Sequence, residues 1–460
     1  MTYERCSVGF FMYPEFGAYN PTLKIANYLT SIGFQVVYFG PIDFQAHVEQ
    51  HGFRYHSVLR DRLPKGTFNQ PPLLGSLSLF KRLKHLIPLK REISIIYYEA
   101  LASGEIEREI SSVNIDLLMV DALLARLASV ISTTGLPVLS LATELVGVDR
   151  YLAPHSSSLI CSKKTSFLRA RILFRWFVFD LSRVGIKCMM GVILMLNDFP
   201  NTDRRLHRLK ACVRNIERKH SLGSLKCEYG TRPKLPEIVL CPWEFEFDMA
   251  LKSDHRVYLG DCIHFSRKDK IDFPWDFFSG VPVVYCSLGT HIANYGYATH
   301  FFKQILLVAK SNQQYQFVLS VGSGTATNDY GSVPDNVLVR SKVPQLELLK
   351  RSSIMLTNGG LGTIKECILH GVPMLVLPCA FDQPGNAARV CHKGIGRVQN
   401  IRKVNADRLS KHIEALMNDK KYKRNITRLK RSIERNDNFH NSLSAILAQM
   451  LNSELEKRRN

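Results

Sequence analysis

Three clusters of side chains in this chain have the types and spacing to do chemistry. Residues 354–356 form a short apolar run that leads into Asn358-Gly359-Gly360-Leu361-Gly362, after which a helical pattern resumes at Thr363. Glycines let the backbone turn sharply there and let a ligand approach the main chain. A helix starting near Leu361 aims its free N–H groups and the positive end of its dipole at that turn, so a phosphate is the natural guest. Glu366, one turn into that helix, can reach a sugar hydroxyl beside the phosphate. A second anion-facing turn, Ser287-Leu288-Gly289-Thr290, follows the apolar run 281–286. The third feature is Asp121, a carboxylate placed directly after the apolar residues 117–120.

The elements needed to hold these groups are legible around them. Residues 6–13, 34–39, 53–59, 115–120 and 137–142 read as strands separated by helical stretches, which is the opening of a doubly wound parallel sheet. A helix is expected from 79 to 110, and 236–245 reads as the last strand of a first domain. Strands at 281–286, 317–321, 337–340, 354–356 and 374–377 build a second α/β unit, and Gly371-Val372-Pro373 stops the helix between its last two strands. Phe381-Asp382-Gln383 then sits where a strand ends. Ligands of open α/β sheets bind outside those carboxyl ends, so Asp121, Ser287 and Asp382 all fall on the ligand side. Residues 408–446 read as helical, and 67–78 and 151–158 as loops able to line a pocket.

Pro344-Gln345, Thr357, Gly359-Gly360, Thr363, Glu366, Gly371-Val372-Pro373, Asp382-Gln383 and Asn386-Ala387 form an ordered set. This set resembles the donor-binding signature of the family 1, UDP-dependent glycosyltransferases, including the bacterial natural-product and macrolide enzymes. The resemblance implies a GT-B architecture, two Rossmann-like doubly wound α/β domains facing each other across a cleft. Its implied boundaries are 1–265 for an acceptor-binding domain, 266–435 for a nucleotide-sugar donor domain, and 436–460 for a terminal helix that returns to the first. It implies that Val343 and Gln345 flank the nucleobase, Glu366 holds the ribose hydroxyls, and Asp382 with Gln383 binds the transferred sugar. Ser287, Gly289 and Thr290 would face the diphosphate opposite Asn358, Gly359, Gly360 and Thr363. Charge stabilisation from these groups and the helix end makes a metal or cofactor unnecessary in this reading. The sequence departs from the family at four places. Asn358 stands for a diphosphate-binding His, Gly362 for an Asn, Lys342 for the aromatic that stacks on the base, and Ala18 for the catalytic His.

Inverting transfer needs a base to take the acceptor's proton, and the loop Gly17-Ala18-Tyr19-Asn20-Pro21 lacks one. Asp121 matches the Asp that orients that His in the family. Three readings follow: Asp121 acts as the base, directly or through a water, if burial raises its pKa; the acceptor is an acidic phenol or carboxylate needing little help; or the protein binds a nucleotide sugar without turning it over. The expected reaction is transfer of a hexose from a UDP- or dTDP-sugar to a hydroxyl or carboxyl of a lipophilic small molecule. A catalytically silent nucleotide-sugar-binding or partner protein is the alternative, and a sugar-nucleotide epimerase is a further enzyme reading.

At 460 residues the chain has room for two cores. Its 11 cysteines show no CxxC pairs, which fits a reduced cytoplasm and leaves zinc without a ligand cluster. The net charge of +21 comes without a zinc-finger, RNP or basic-zipper pattern, so no nucleic-acid partner is expected. Anionic lipid or a negatively charged donor is the better match, and a solvated basic face is the plain alternative. Residues 166–199 are greasy but interrupted by Arg169, Arg171, Arg175, Asp180, Arg183 and Lys187, which excludes a clean spanning helix. Their mixture of basic and aromatic side chains suits either peripheral contact with an anionic membrane or core helices with snorkelling arginines. The expected location is cytoplasmic, with peripheral contact at the inner face of the membrane as an option.

Overall fold

The computed structural model describes residues 6–68, 79–145, 150–162, 164–195, 200–219, 224–227, 230–264, 271–289, 296–322 and 331–459. The first sheet has seven strands, all parallel, in the order β3-β2-β1-β4-β5-β8-β9. They are β1 (Ser7–Phe11), β2 (Gln35–Gly40), β3 (Arg54–Ser57), β4 (Leu117–Asp121), β5 (Val138–Ala142), β8 (Glu237–Val239) and β9 (Arg256–Tyr258); β6 (Ser224–Cys227) and β7 (Gly230–Pro233) form a separate antiparallel pair. The second sheet is also parallel, in the order β12-β11-β10-β13-β14-β15. Its strands are β10 (Val283–Ser287), β11 (Gln316–Ser320), β12 (Val337–Arg340), β13 (Ile354–Thr357), β14 (Met374–Val376) and β15 (Gly396–Val398). Their apolar residues are buried on both faces, as expected where helices cover a parallel sheet.

Helices run between the strands: α1 (Phe16–Tyr19), α2 (Thr22–Ser31), α3 (Gln45–Glu49), α4 (Leu79–Ala102), α5 (Glu105–Ser111) and α6 (Ala125–Ser132). Then come α7 (Ser166–Met195), α8 (Pro200–Lys219), α9 (Ala298–Ser311), α10 (Gln345–Arg351), α11 (Leu361–His370), α12 (Gln383–His392), α13 (Ala406–Asn418), α14 (Lys420–Arg435) and α15 (Phe439–Arg459). Two expected elements divide differently. The helix over 79–110 breaks at Gly104, which adopts the left-handed conformation, φ 69°, before α5. The strand expected over 236–245 ends at Val239, and β9 lies beyond it at the sheet edge.

The two sheets do not stand apart. One apolar cluster runs from Ala142, Val239 and Phe245 beside the first sheet to Ile364, Cys367 and Ile368 on α11. Phe439, Leu443 and Leu447 of α15 pack into the core of the first sheet, so the end of the chain returns to where it began. Tyr28 on α2 adds a hydrogen bond to Ser444 at 2.8 Å. In both sheets the strand order reverses beside the strand that comes first in sequence, between β1 and β4 and between β10 and β13, and such switch points open a crevice at the carboxyl ends.

Candidate functional site

Pairing of β10 with β13 sets Ser287 opposite Thr357, so the loops that leave these two strands emerge side by side. Gly289, φ 80°, passes so close to Asn358 that a Cβ there would lie 2.9 Å from its Nδ2. The Oδ1 of Asn358 accepts from the Gly360 N–H at 3.3 Å, which satisfies one donor ahead of α11. Gly360 caps that helix without a side-chain bond, and the N–H groups of its first turn face the crevice end of the sheet. Thr290 lies outside the described residues. Glu366 is nearly buried and accepts from Gln345 Nε2 at 2.5 Å. Gln345 is oriented in turn by the Tyr285 hydroxyl, which donates to its Oε1 at 2.9 Å, and its amide also lies 3.4 Å from Thr363 Oγ1. Tyr285, Gln345, Thr363 and Glu366 thus form a connected polar network along this wall of the crevice.

The Asp382–Gln383 pair follows Phe381, whose φ of 56° is a strained left-handed conformation for an aromatic residue. Gln383 Oε1 accepts from the Cys379 and Ala380 N–H groups at 2.8 and 3.0 Å, so its carbonyl braces the loop and only its amide N–H groups remain for a ligand. Asp382 accepts from Asn386 Nδ2 at 2.8 Å, and the same amide nitrogen reaches Gly359 O at 3.0 Å, tying the two halves of the wall together. Burial pushes the Asp382 carboxyl up to about 6. Val343 has its side chain in the apolar cluster, leaving its backbone to meet a ligand, and Lys342 is exposed.

On the first sheet, Asp121 ends β4 and is fully buried. Its Oδ1 accepts from Leu123 N–H at 2.8 Å, and its Oδ2 from the Thr143 hydroxyl at 3.3 Å. Burial outweighs these bonds and raises its pKa to about 7. Thr143, which follows β5, is half-buried and bonds the closed-in carboxylate from the carboxyl end of the sheet. The signal in the sequence for Thr143 is a hydroxyl placed immediately after the apolar strand 138–142. The 17–21 segment is most of α1 and the two residues that lead into α2 rather than an open loop. Ala18 packs into the core of the first sheet, and the imidazole beside this segment is that of His47, 2.9 Å from Asn20 Oδ1.

Both walls face one another. The charge of Glu15, in the turn after β1, raises both Asp121 on the first sheet and Asp382 on the second. Across the junction Gly385 N–H donates to His155 O at 2.7 Å, which places the 151–158 loop against α12. The buried Lys365 of α11 donates to Leu240 O at 2.7 Å. Arg389 of α12 pairs with Glu246 at 2.7 and 3.0 Å, both side chains being almost inaccessible. Most of 67–78 lies outside the described residues. Among the described residues, no three His, Cys, Asp or Glu side chains are grouped to hold a metal ion.

Residues 258–438 match the family model described as UDP-glucoronosyl and UDP-glucosyl transferase. Over those residues the chain is therefore similar to the UDP-glucoronosyl and UDP-glucosyl transferases. The uncharacterized UDP-glucosyltransferase YojK of Bacillus subtilis is 34% identical over 36% of this chain and 40% of its own. The chain spans between 40% and 57% of the length of three curated Bacillus subtilis relatives that it matches. Among solved structures, the glycotransferase of kitacinnamycin superposes with a TM-score of 0.65 at 20% identity, covering 97% of this chain and 99% of that one. The glycosyltransferase VinC, solved in complex with dTDP, does so with a TM-score of 0.60 at 15% identity, over 98% and 100%. These likenesses identify the fold as GT-B, with two Rossmann-like domains.

Proposed function

We propose that the protein is an inverting glycosyltransferase that moves a hexose from a UDP- or dTDP-sugar to a hydroxyl or carboxyl group of a lipophilic small molecule, without a metal. The observation that carries this reading is the pairing of Ser287 with Thr357, which brings Gly289 onto Asn358 at the foot of α11 with Glu366 one turn further on. Two backbone turns and a helix end converge there on a space suited to a diphosphate, with a carboxylate placed for adjacent diol hydroxyls. VinC, a structural neighbour, was solved with dTDP, which supports a nucleoside diphosphate as the leaving group.

In this reading the acceptor oxygen attacks the anomeric carbon as the bond from that carbon to the diphosphate oxygen breaks, and the nucleoside diphosphate leaves with the bonding pair. The acceptor's proton passes to Thr143 Oγ1 while the Thr143 proton passes to Asp121 Oδ2, 3.3 Å away. A carboxylate with a pKa of about 7 suits a base working near neutrality, and its full burial is why a relay is needed. Helix α11, Ser287 and the Asn358 amide stabilise the charge developing on the diphosphate. Asn358 supplies a hydrogen bond in place of the cation that a His would bring.

Incubation with UDP-glucose and dTDP-glucose separates the possibilities. Nucleoside diphosphate should appear only when a phenolic or aliphatic alcohol acceptor is added, and the glycoside should form with inverted anomeric configuration. Nucleotide binding without any release would instead identify a silent binder, and release with no acceptor would identify hydrolysis or epimerase-type chemistry.

A further inference from the structure

Helix α7 buries one narrow face and leaves the opposite one bare. Leu168, Ile172 and Trp176 are almost inaccessible, packed with Leu159, Cys161 and Phe247. On the outer side Phe167, Phe174, Phe177 and Leu181 are 74%, 60%, 63% and 60% exposed, and Leu173, Val178 and Val184 are exposed too. At about 100° per residue these seven positions share an arc of roughly 140°. Arg171 and Arg175 line one edge of that arc and Arg169 the other, and residues 164–185 hold five basic side chains against Asp180 alone. Arg171 lies over the Phe167 ring at 5.7 Å, while Arg169 donates to Arg150 O at 3.0 Å. Seven bare apolar side chains on one helix are far more than the scattered exposed leucines of an ordinary surface. Among the described residues no helix is long and apolar enough to cross a membrane, so α7 can lie on a bilayer but not span it.

We infer that the outer face of α7 docks on an anionic lipid surface, with its phenylalanines in the acyl boundary and its arginines among the headgroups. The charge selects this occupant. A chain of net charge +21 with a cationic rim around the patch repels a second copy of itself, and the same rim attracts anionic phospholipid. Apolar side chains and basic neighbours are the two signals that together hold a helix in an interface. The docking is independent of the reaction, but its position bears on it. Trp176 of α7 donates to Leu152 O at 2.8 Å, and the loop containing Leu152 is the one that meets α12 through His155. On the reading proposed above, docking would bring the rim of the cleft to a lipid surface from which a lipophilic acceptor could enter.

Flotation with vesicles, in the absence of sugar nucleotide, tests the docking apart from the transferase reading. The full chain is expected to float with phosphatidylcholine–phosphatidylglycerol vesicles, less as salt is raised, and far less with phosphatidylcholine alone. Phe174→Ser with Phe177→Ser should reduce vesicle partitioning about tenfold or more, since insertion scales with buried apolar area. Arg171→Glu with Arg175→Glu should reduce it by a similar factor on the anionic vesicles and leave the neutral ones unchanged. All four side chains are exposed, so melting curves of the variants should match the parent. Failure to float, flotation unaffected by both double variants, or a concentration-dependent dimer in sedimentation velocity that Phe174→Ser abolishes would each overturn the proposal.

Discussion

In the proposed reaction the difficulty falls on one carboxyl group, that of Asp121. Held at a pKa of about 7 by burial, it should make kcat/KM rise with pH to a plateau above neutrality if, as proposed, the ionised form is the base. Asp121→Asn should remove that limb and lower kcat/KM by roughly two to four orders of magnitude, read from a pH–rate profile. The same shift has a stability sign. The folded pKa lies above the ordinary 3.8, so the native state holds the proton longer, and stability is full at low pH and lost as pH rises through about 7. Denaturant titrations should therefore show Asp121→Asn flattening the pH dependence over that window, by an amount on the order of a few kcal/mol. Thr143→Val should lower kcat with KM nearly unchanged if the hydroxyl relays the proton, whereas a merely structural hydroxyl would leave the kcat pH profile as it was. Asp121 could be picked out from sequence because it ends an apolar strand. Its complete enclosure could not, because Leu123, Thr143 and Tyr13 close around it only in the folded sheet.

The strand–turn–helix from β13 to α11 is the element on which the proposed donor binding depends. Its apolar run, glycine turn and helical period are local properties, so they could be read directly, as could the parallel strands on either side. The approach of Gly289 to Asn358 joins residues far apart in the chain through sheet register, and nothing local reports it. Gly289→Ala should expose this dependence. Its φ of 80° disfavours a side chain, and the added methyl would meet the Asn358 amide, so nucleotide affinity should fall about tenfold in a titration while the melting transition moves little. The 17–21 segment teaches the opposite lesson. Its turn-forming residues suggest an open loop, but Ala18 and Tyr19 are apolar enough to bury, and the segment coils into α1 against the first core.

At the scale of the whole molecule the two sheets are joined by apolar contact and by charge. Glu246 and Arg389 form a buried ion pair across the junction, and a pair of this kind is costly to break from one side. Glu246→Leu should leave the Arg389 charge unpaired and destabilise the junction by roughly 3–5 kcal/mol, seen as a lowered melting transition, with much of the loss restored by a second change, Arg389→Met. Long-range pairs of this sort, like the reach of Lys365 to Leu240, carry no pattern in the sequence beyond a charged residue in an otherwise apolar stretch. A nucleotide-sugar site in the crevice between the sheets predicts the outcome of calorimetric titration of UDP and dTDP into the protein and its Glu366→Gln variant. At least one nucleotide should bind at a single site, with affinity falling about tenfold or more in the variant, as expected when a charged hydrogen bond to a diol is lost. If neither nucleotide bound the folded protein, or if Glu366→Gln left binding unchanged, the account of the site would be wrong.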